Sequence, residues 1–263
     1  MFFYHFFYTF ALALYVFGKN TLYTNSKTCM AVRKEYDMNK ATEEIVALFG
    51  PLTDEQRIYL AENIKLCVYG KGEILYEEYD SPKHMMCLLR GKVMIAKNGI
   101  GNRSQIIRLI NEKGFFGYRP AFAGEDYCTS ATTYEKSLVG LIPIDVVKNL
   151  IKNNIQLAVY FIKQLAAMLG DADMLTVDLT QKHIRGRLAQ SLLALKETYG
   201  VAGDGQTLNI SVSRKDIASM SNMITNNAIR TLSAFASEGI IHINGKTIKI
   251  INEEELNKIS FYG

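Results

Sequence analysis

Residues Ser211 to Ile251 read SVSRKDIASMSNMITNNAIRTLSAFASEGIIHINGKTIKII, and this stretch decides how the end of the chain folds. Ser213 is a favourable N-cap, and Ile217 and Met220 follow it at helical spacing. Asn222 stands where the chain must turn, and asparagine tolerates the left-handed backbone that ends a helix. A second helix capped by Thr225 is expected to run to about Ser237. Its Ala228, Leu232 and Phe235 share one face, while Thr225, Asn226, Ile229, Arg230 and Ser233 lie opposite. Gly239 ends that helix, and two β-type runs, Ile240–Ile243 and Thr247–Ile251, flank Asn244-Gly245, a strong hairpin signal. Two short helices, a tight turn and a hairpin make a winged helix-turn-helix. A major groove admits one α-helix, where Arg and Asn side chains pair with base edges.

The alternative, an αα-hairpin inside some other helical domain, is opposed by the charge. Between Lys182 and Ile250 there are nine Lys and Arg against four Asp and Glu, whereas the whole chain carries only +4. Positive charge gathered on one module is what phosphate binding requires.

Arg214-Lys215-Asp216-Ile217-Ala218, Arg230-Thr231-Leu232, Glu238-Gly239-Ile240-Ile241 and Gly245-Lys246-Thr247-Ile248 together resemble the C-terminal domain of the Crp/Fnr family of bacterial transcription regulators. The upstream Gly186-Arg187-Leu188-Ala189-Gln190-Ser191-Leu192-Leu193 resembles the helix that precedes it there. The resemblance implies double-stranded DNA bearing an inverted repeat, RNA polymerase and a second copy of the chain as partners. It places Arg230 where an arginine reads guanine, Arg214 where a phosphate is contacted, Ser213 as a hydroxyl helper and Lys246 as a phosphate contact in the wing. Thr225 and Asn226 stand where the family often has Arg and Glu, so an altered half-site is expected, with Asn226 able to read adenine.

The preceding region has a different texture. After two short helices, Ala41–Phe49 and Thr53–Asn63, the runs Leu66–Tyr69, Glu73–Tyr76, Met85–Leu89, Lys92–Ala96, Gln105–Ile110 and Ser137–Ile142 alternate with glycine-bearing turns. That spacing predicts a small antiparallel barrel or jelly roll. The segments Lys71-Gly72-Glu73-Ile74-Leu75, Leu88-Leu89-Arg90-Gly91-Lys92-Val93 and Gly114-Phe115-Phe116-Gly117 resemble the family's cyclic-nucleotide-binding-type β-roll. In nucleotide-binding members a glutamate follows the last glycine and an arginine comes some ten residues on. Here Gly117 is followed by Tyr118-Arg119, and Tyr127-Cys128-Thr129-Ser130-Ala131 contains no base. A buried phosphate without a cationic partner costs several kcal/mol, so the expected effector is something other than cyclic AMP. Phe116, Gly117, Tyr118, Arg119, Thr129 and Ser130 are the effector-pocket candidates.

From Ile155 to about Gln181 the chain reads as one long helix, with Phe161, Leu165, Met168, Ala172, Leu175 and Leu179 continuing a 3,4 alternation that begins at Ala158. Such a seam suggests two helices facing each other, although part of it can pack on the chain's own barrel. The family resemblance favours the dimer.

The expected fold class is α+β, with four parts: an N-terminal extension over 1–37, a sensor β-roll over 38–154, a long dimerisation helix over 155–181 and a winged helix-turn-helix domain over 182–263. The extension carries an apolar run, Phe2 to Phe17, shorter than the roughly 20 residues a membrane span needs. It lacks a basic start and a cleavage site, and Met38 opens an ordinary soluble-domain sequence, so residues 1–37 are read as a misassigned start and no stable membrane association is expected. The four cysteines, Cys29, Cys67, Cys87 and Cys128, form no C-x-x-C pair, which argues against a disulfide framework, a zinc site or the clustered iron–sulfur ligands of some family members. Reduced thiols in a cytoplasmic protein are expected. A metal-dependent barrel enzyme would need converging ligands, and the barrel region has one histidine, His84. No nucleophile elbow, P-loop or Rossmann glycine pattern occurs, so neither enzyme activity, a metal nor a cofactor is expected, and the effector stays unassigned. The rival reading is a small-molecule-binding protein that acts through protein partners without sequence-specific DNA binding.

Overall fold

The computed structural model describes residues 37–99 and 103–262; the expectations placed on the N-terminal extension and on Cys29 lie outside them. Two helices open the described chain, α1 (Met38–Leu48) and α2 (Asp54–Asn63). Thr53 caps α2 in a reciprocal box with Gln56, which satisfies two otherwise orphaned backbone donors.

Eight strands follow: β1 (Lys65–Tyr69), β2 (Ile74–Tyr76), β3 (His84–Arg90), β4 (Val93–Asn98), β5 (Ser104–Ile110), β6 (Gly114–Phe116), β7 (Ser130–Thr133) and β8 (Ser137–Pro143), with the short helix α3 (Arg119–Ala123) between β6 and β7. They form two four-stranded antiparallel sheets, ordered β1-β8-β3-β6 and β2-β7-β4-β5, the expected jelly-roll arrangement. Between the sheets lies a core of Tyr76, Met86, Leu88, Val93, Ile95, Ile110, Phe116, Tyr127, Ala131 and Val139. Gly91 has φ +100°, and a Cβ there would meet the Lys136 carbonyl oxygen at 2.7 Å, so glycine is needed where β3 turns towards β4.

The helix α4 (Ile144–Lys152) leads into the long helix α5 (Ile155–Gln181), capped by Asn154. Together with α1 and α2 they cover the outer face of the first sheet, in a core that includes Ile45, Phe49, Leu60, Met85, Leu89, Val147, Leu157 and Phe161. Part of the expected seam of α5 packs on the chain's own core, as the sequence allowed. Phe161 is only 3% exposed, packing edge-on against Phe49, Tyr118 and Phe122, and Leu165 and Met168 rest against the same core. Phe161 is thus taken up by the chain's own core, while Leu165 and Met168 stay partly buried.

The remaining elements are α6 (Ile184–Tyr199), α7 (Arg214–Met220), α8 (Thr225–Ser237), β9 (Ile241–Asn244), β10 (Thr247–Ile250) and α9 (Glu253–Tyr262). Their core contains Leu188, Leu192, Ile217, Ala228, Leu232, Phe235, Ile241, Ile248 and Leu256. It is continuous with the outer face of the second sheet, because Met94, Ile106, Leu109 and Tyr134 join it. Among the described residues no helix is long and apolar enough to cross a membrane.

Candidate nucleic-acid interface

The local chemistry of α7 and α8 follows the expected pattern closely. Ser213 caps α7, its Oγ accepting the Asp216 N–H at 3.1 Å. Asn222 has φ +48°, the left-handed turn between the helices. Arg187 of α6 braces that turn, donating to the Ser221 carbonyl at 2.9 Å and to the Lys182 carbonyl at 3.0 Å. One detail differs. Ile224 rather than Thr225 occupies the N-cap of α8, and it offers no side-chain bond, so Thr225 is the first helical residue. Thr225 is thereby left on the exposed face.

On α8 the sides separate cleanly. Ala228, Leu232 and Phe235 are buried, whereas Thr225, Asn226, Ile229, Arg230 and Ser233 line the outer face. The wing turns through Gly245, with φ +57°, and presents an exposed Lys246. Arg214, at the start of α7, reaches the wing: its Nη2 donates to the Gly245 carbonyl at 3.0 Å, and its Nη1 is buried with no hydrogen-bond partner. A guanidinium beside a second cation is the kind of pair a phosphate oxygen accepts from, once the turn shifts to uncover the buried Nη1. The structure thus brings Arg214 to the turn of the wing beside Lys246 and leaves the outer face of α8 exposed.

Sequence reasoning missed what holds the other side of α7. The strand β5 lies at the edge of its sheet, with backbone groups free for pairing. Ser219 of α7 satisfies two of them, accepting the Ile106 N–H at 2.8 Å and donating to the Ser104 carbonyl at 2.6 Å. Gln105 donates to the Met220 carbonyl at 3.3 Å. At the other end of α7, the Tyr134 hydroxyl donates to Asp216 at 2.8 Å and accepts the Ser213 N–H at 3.2 Å. Burial, reinforced by the Asp216 carboxylate, pushes the Tyr134 phenol above its usual range, so it remains a donor at neutral pH. The Ser213 backbone N–H is thereby engaged by the roll, while its hydroxyl, the expected phosphate helper, donates to the Asp216 carboxylate at 2.6 Å. Replacing Tyr134 by Phe removes a hydrogen bond to a charged group, worth about 1.5–3 kcal/mol. Amide exchange across residues 213–220 should accelerate by roughly 10- to 150-fold, while exchange in β9 and β10 stays unchanged.

The effector-pocket candidates divide. Phe116 belongs to the core between the sheets, and Tyr118 is buried in the aromatic cluster with Phe122 and Phe161, its hydroxyl 3.5 Å from the Met168 sulfur. The Gly117 carbonyl accepts the Tyr127 hydroxyl at 2.9 Å, and Tyr127 stacks on Tyr76 at 3.7 Å. Arg119 is exposed and places its Nη2 2.9 Å from the Cys128 sulfur, beside Thr129 and the start of β7 at Ser130. Cys67 and Cys87 are buried, and burial, reinforced by Glu44, pushes the Cys87 thiol up to about 12, which keeps it protonated and inert. Among the described residues no group of three or more His, Cys, Asp or Glu is disposed to hold a metal.

Comparison with known proteins agrees with both halves. Residues 66–154 match the family model of the cyclic nucleotide-binding domain, and residues 186–259 match that of the Crp-like helix-turn-helix domain. FixK2 from Bradyrhizobium japonicum superposes with a TM-score of 0.68 at 22% identity, covering 74% of this chain and 96% of that one. A transcriptional regulator of the CRP family from Thermus thermophilus, TTHB099, does so with a TM-score of 0.64 at 18% identity, covering 74% and 97%. An uncharacterised protein of Haemophilus influenzae is 26% identical over 115 residues, which is 41% of this chain and 88% of that one.

Proposed function

Because the chain belongs to the Crp/Fnr family, joining a cyclic nucleotide-binding domain to a Crp-like helix-turn-helix domain, we propose that it is a cytoplasmic, sequence-specific regulator of transcription. It binds an inverted-repeat operator as a homodimer and acts on RNA polymerase. The observation that carries this reading is the open face of α8, with Arg230 and Asn226 exposed, flanked on the same module by Arg214 and Lys246. Arg230 reads a base edge, Thr225 and Asn226 adjust the half-site, and Ser213, Arg214 and Lys246 hold phosphates.

The signal is something other than cyclic AMP. No carboxylate follows Gly117, and Tyr118 in its place is locked into the aromatic cluster. The Tyr127–Ala131 segment carries no cation of its own, and the two that reach it are engaged at Cys128, Arg119 at the sulfur at 2.9 Å and Lys97 at the carbonyl at 2.7 Å. The signal reaches the DNA-binding module through α5 and through the contact of Tyr134 with Ser213 and Asp216, which competes with a phosphate for the start of α7.

Selection of binding sites from random-sequence DNA tests the proposal. Enrichment of a palindrome supports it; an unenriched pool would show instead a protein that acts through other proteins. Arg214→Ala should weaken binding to operator and random DNA by the same factor. Two phosphate contacts are lost per dimer, so the slope of log K against log salt should flatten by about 1.8. A loss confined to the operator would remove Arg214 from its phosphate role.

A further inference from the structure

The outer face of α8 is polar except at one position. Thr225, Asn226, Arg230 and Ser233 carry hydrogen-bonding groups, and Ile229 stands among them 42% exposed. Among the described residues Ile229 belongs neither to the core of the module nor to the apolar side chains that rest on that core. Helix propensity does not account for it either, because isoleucine is a poorer helix former than alanine or leucine. Single apolar side chains are common on protein surfaces; this one stands among the residues that face the bases.

A recognition helix contacts base edges with its N-terminal residues, and Ile229 is the fifth residue of α8. It lies three residues after Asn226 and four before Ser233, so it shares one strip of the helix with both. Cβ atoms at that spacing are about 5–6 Å apart, and successive base pairs are about 3.4 Å apart, so Asn226 and Ile229 address the same or adjacent base pairs. The apolar group that the major groove offers for reading is the thymine 5-methyl, and an adenine read by asparagine always has thymine as its partner. Ile229 is also β-branched, which leaves one strongly preferred χ1 rotamer in a helix. Little side-chain freedom is therefore lost when its methyl groups meet another surface.

We propose that Ile229 is a specificity-determining residue that packs on the 5-methyl group of a thymine, at or beside the base pair addressed by Asn226. This role rests on the regulator reading above and extends it: each half-site carries a thymine selected for its methyl group and not for a hydrogen bond. Cytosine methylated at C5 presents the same group at the same place in the groove. A 5-methylcytosine therefore substitutes in part for that thymine, and an unmodified cytosine does not.

The test takes the operator enriched by random-sequence selection and replaces its thymines by deoxyuridine, one symmetric pair of positions at a time. Deoxyuridine keeps every hydrogen bond of thymine and removes only the methyl. At one position the full-length protein should lose about 4-fold in affinity per half-site, or about 15-fold for the dimer, as expected for one methyl-sized group no longer buried. There Ile229→Ala should bind the thymine and deoxyuridine operators within about 2-fold of each other, whereas Ile229→Val, which keeps the branch at Cβ, should retain most of the ratio. Placing cytosine and then 5-methylcytosine at the same position should recover affinity in the parent and not in Ile229→Ala. The position is exposed, so both variants should keep the parent's helical circular dichroism. Equal binding of thymine and deoxyuridine operators at every position, or an undiminished ratio in Ile229→Ala, overturns the role; the second result assigns the methyl to another side chain, such as that of Thr225. Either result leaves the enriched palindrome, and with it the regulator reading, standing. An unenriched pool refutes the regulator reading and removes this role with it.

Discussion

Arg230→Ala is expected to abolish the preference for operator over random DNA while leaving the protein folded. The side chain is exposed on the outer face of α8 and has no hydrogen bond or ion pair among the described residues, so its removal takes nothing from the core of Ala228, Leu232 and Phe235. Its value arises only on DNA. A bidentate arginine–guanine contact discriminates against a wrong base by about 1–3 kcal/mol. A two-fold dimer makes it twice, for about 2–6 kcal/mol, or roughly 30-fold to more than 10⁴-fold in specificity. Competition titration of the selected operator against random duplex measures this ratio directly. The variant should retain the parent's affinity for random DNA apart from a modest change in its salt dependence. Loss by the same factor on both DNAs would reassign Arg230 from base reading to phosphate contact.

That prediction rests on the part of the chain most legible in its sequence. Ser213, Asn222 and Gly245 each impose a backbone state by local chemistry, and the structure adopts a cap, a left-handed turn and a hairpin, the last with its turn on Gly245-Lys246 and Asn244 at the end of β9. Where the reading failed, the cause was nonlocal. The strands β6 and β7 are three and four residues long and carry no alternation of their own. Pairing with β3, β2 and β4 makes them strands, and the Thr133 hydroxyl stabilises β7 by accepting the Glu73 N–H at 3.0 Å. Tyr134 and Ser219 looked like ordinary loop and helix residues because their partners lie 79 to 115 positions away. Spacing shows that a face exists; which of two adjacent faces turns inward is settled by whatever packs against it.

The long helix is where that ambiguity has the largest consequence, and Leu169→Asp resolves it. Phe161 is held in the protomer's own core, and Leu165 and Met168 rest against it, yet α5 keeps a second apolar line in the open. Ile155, Ile162 and Leu169 are 73%, 64% and 65% exposed and recur every seven residues, with Val159 and Val177 along the same side. A heptad-spaced apolar stripe outside the protomer's core is the surface a second copy would bury. An aspartate in a symmetric seam places two carboxylates against each other without counter-charge, and each uncompensated buried charge costs about 3–5 kcal/mol. Sedimentation should therefore find Leu169→Asp monomeric at concentrations where the parent is a dimer, with its helical circular dichroism retained because the position is exposed in the protomer. Ala172→Asp provides the contrast. It lies on the originally read line through Ala172, Leu175 and Leu179, where Ala172 is also exposed. If Ala172→Asp dissociates the dimer and Leu169→Asp does not, pairing runs along that line. If only Leu169→Asp dissociates it, the core has turned the first line inward and left the second for the partner. In either monomer one recognition helix must bind alone, and the preference for an inverted repeat disappears even though Arg230 is intact.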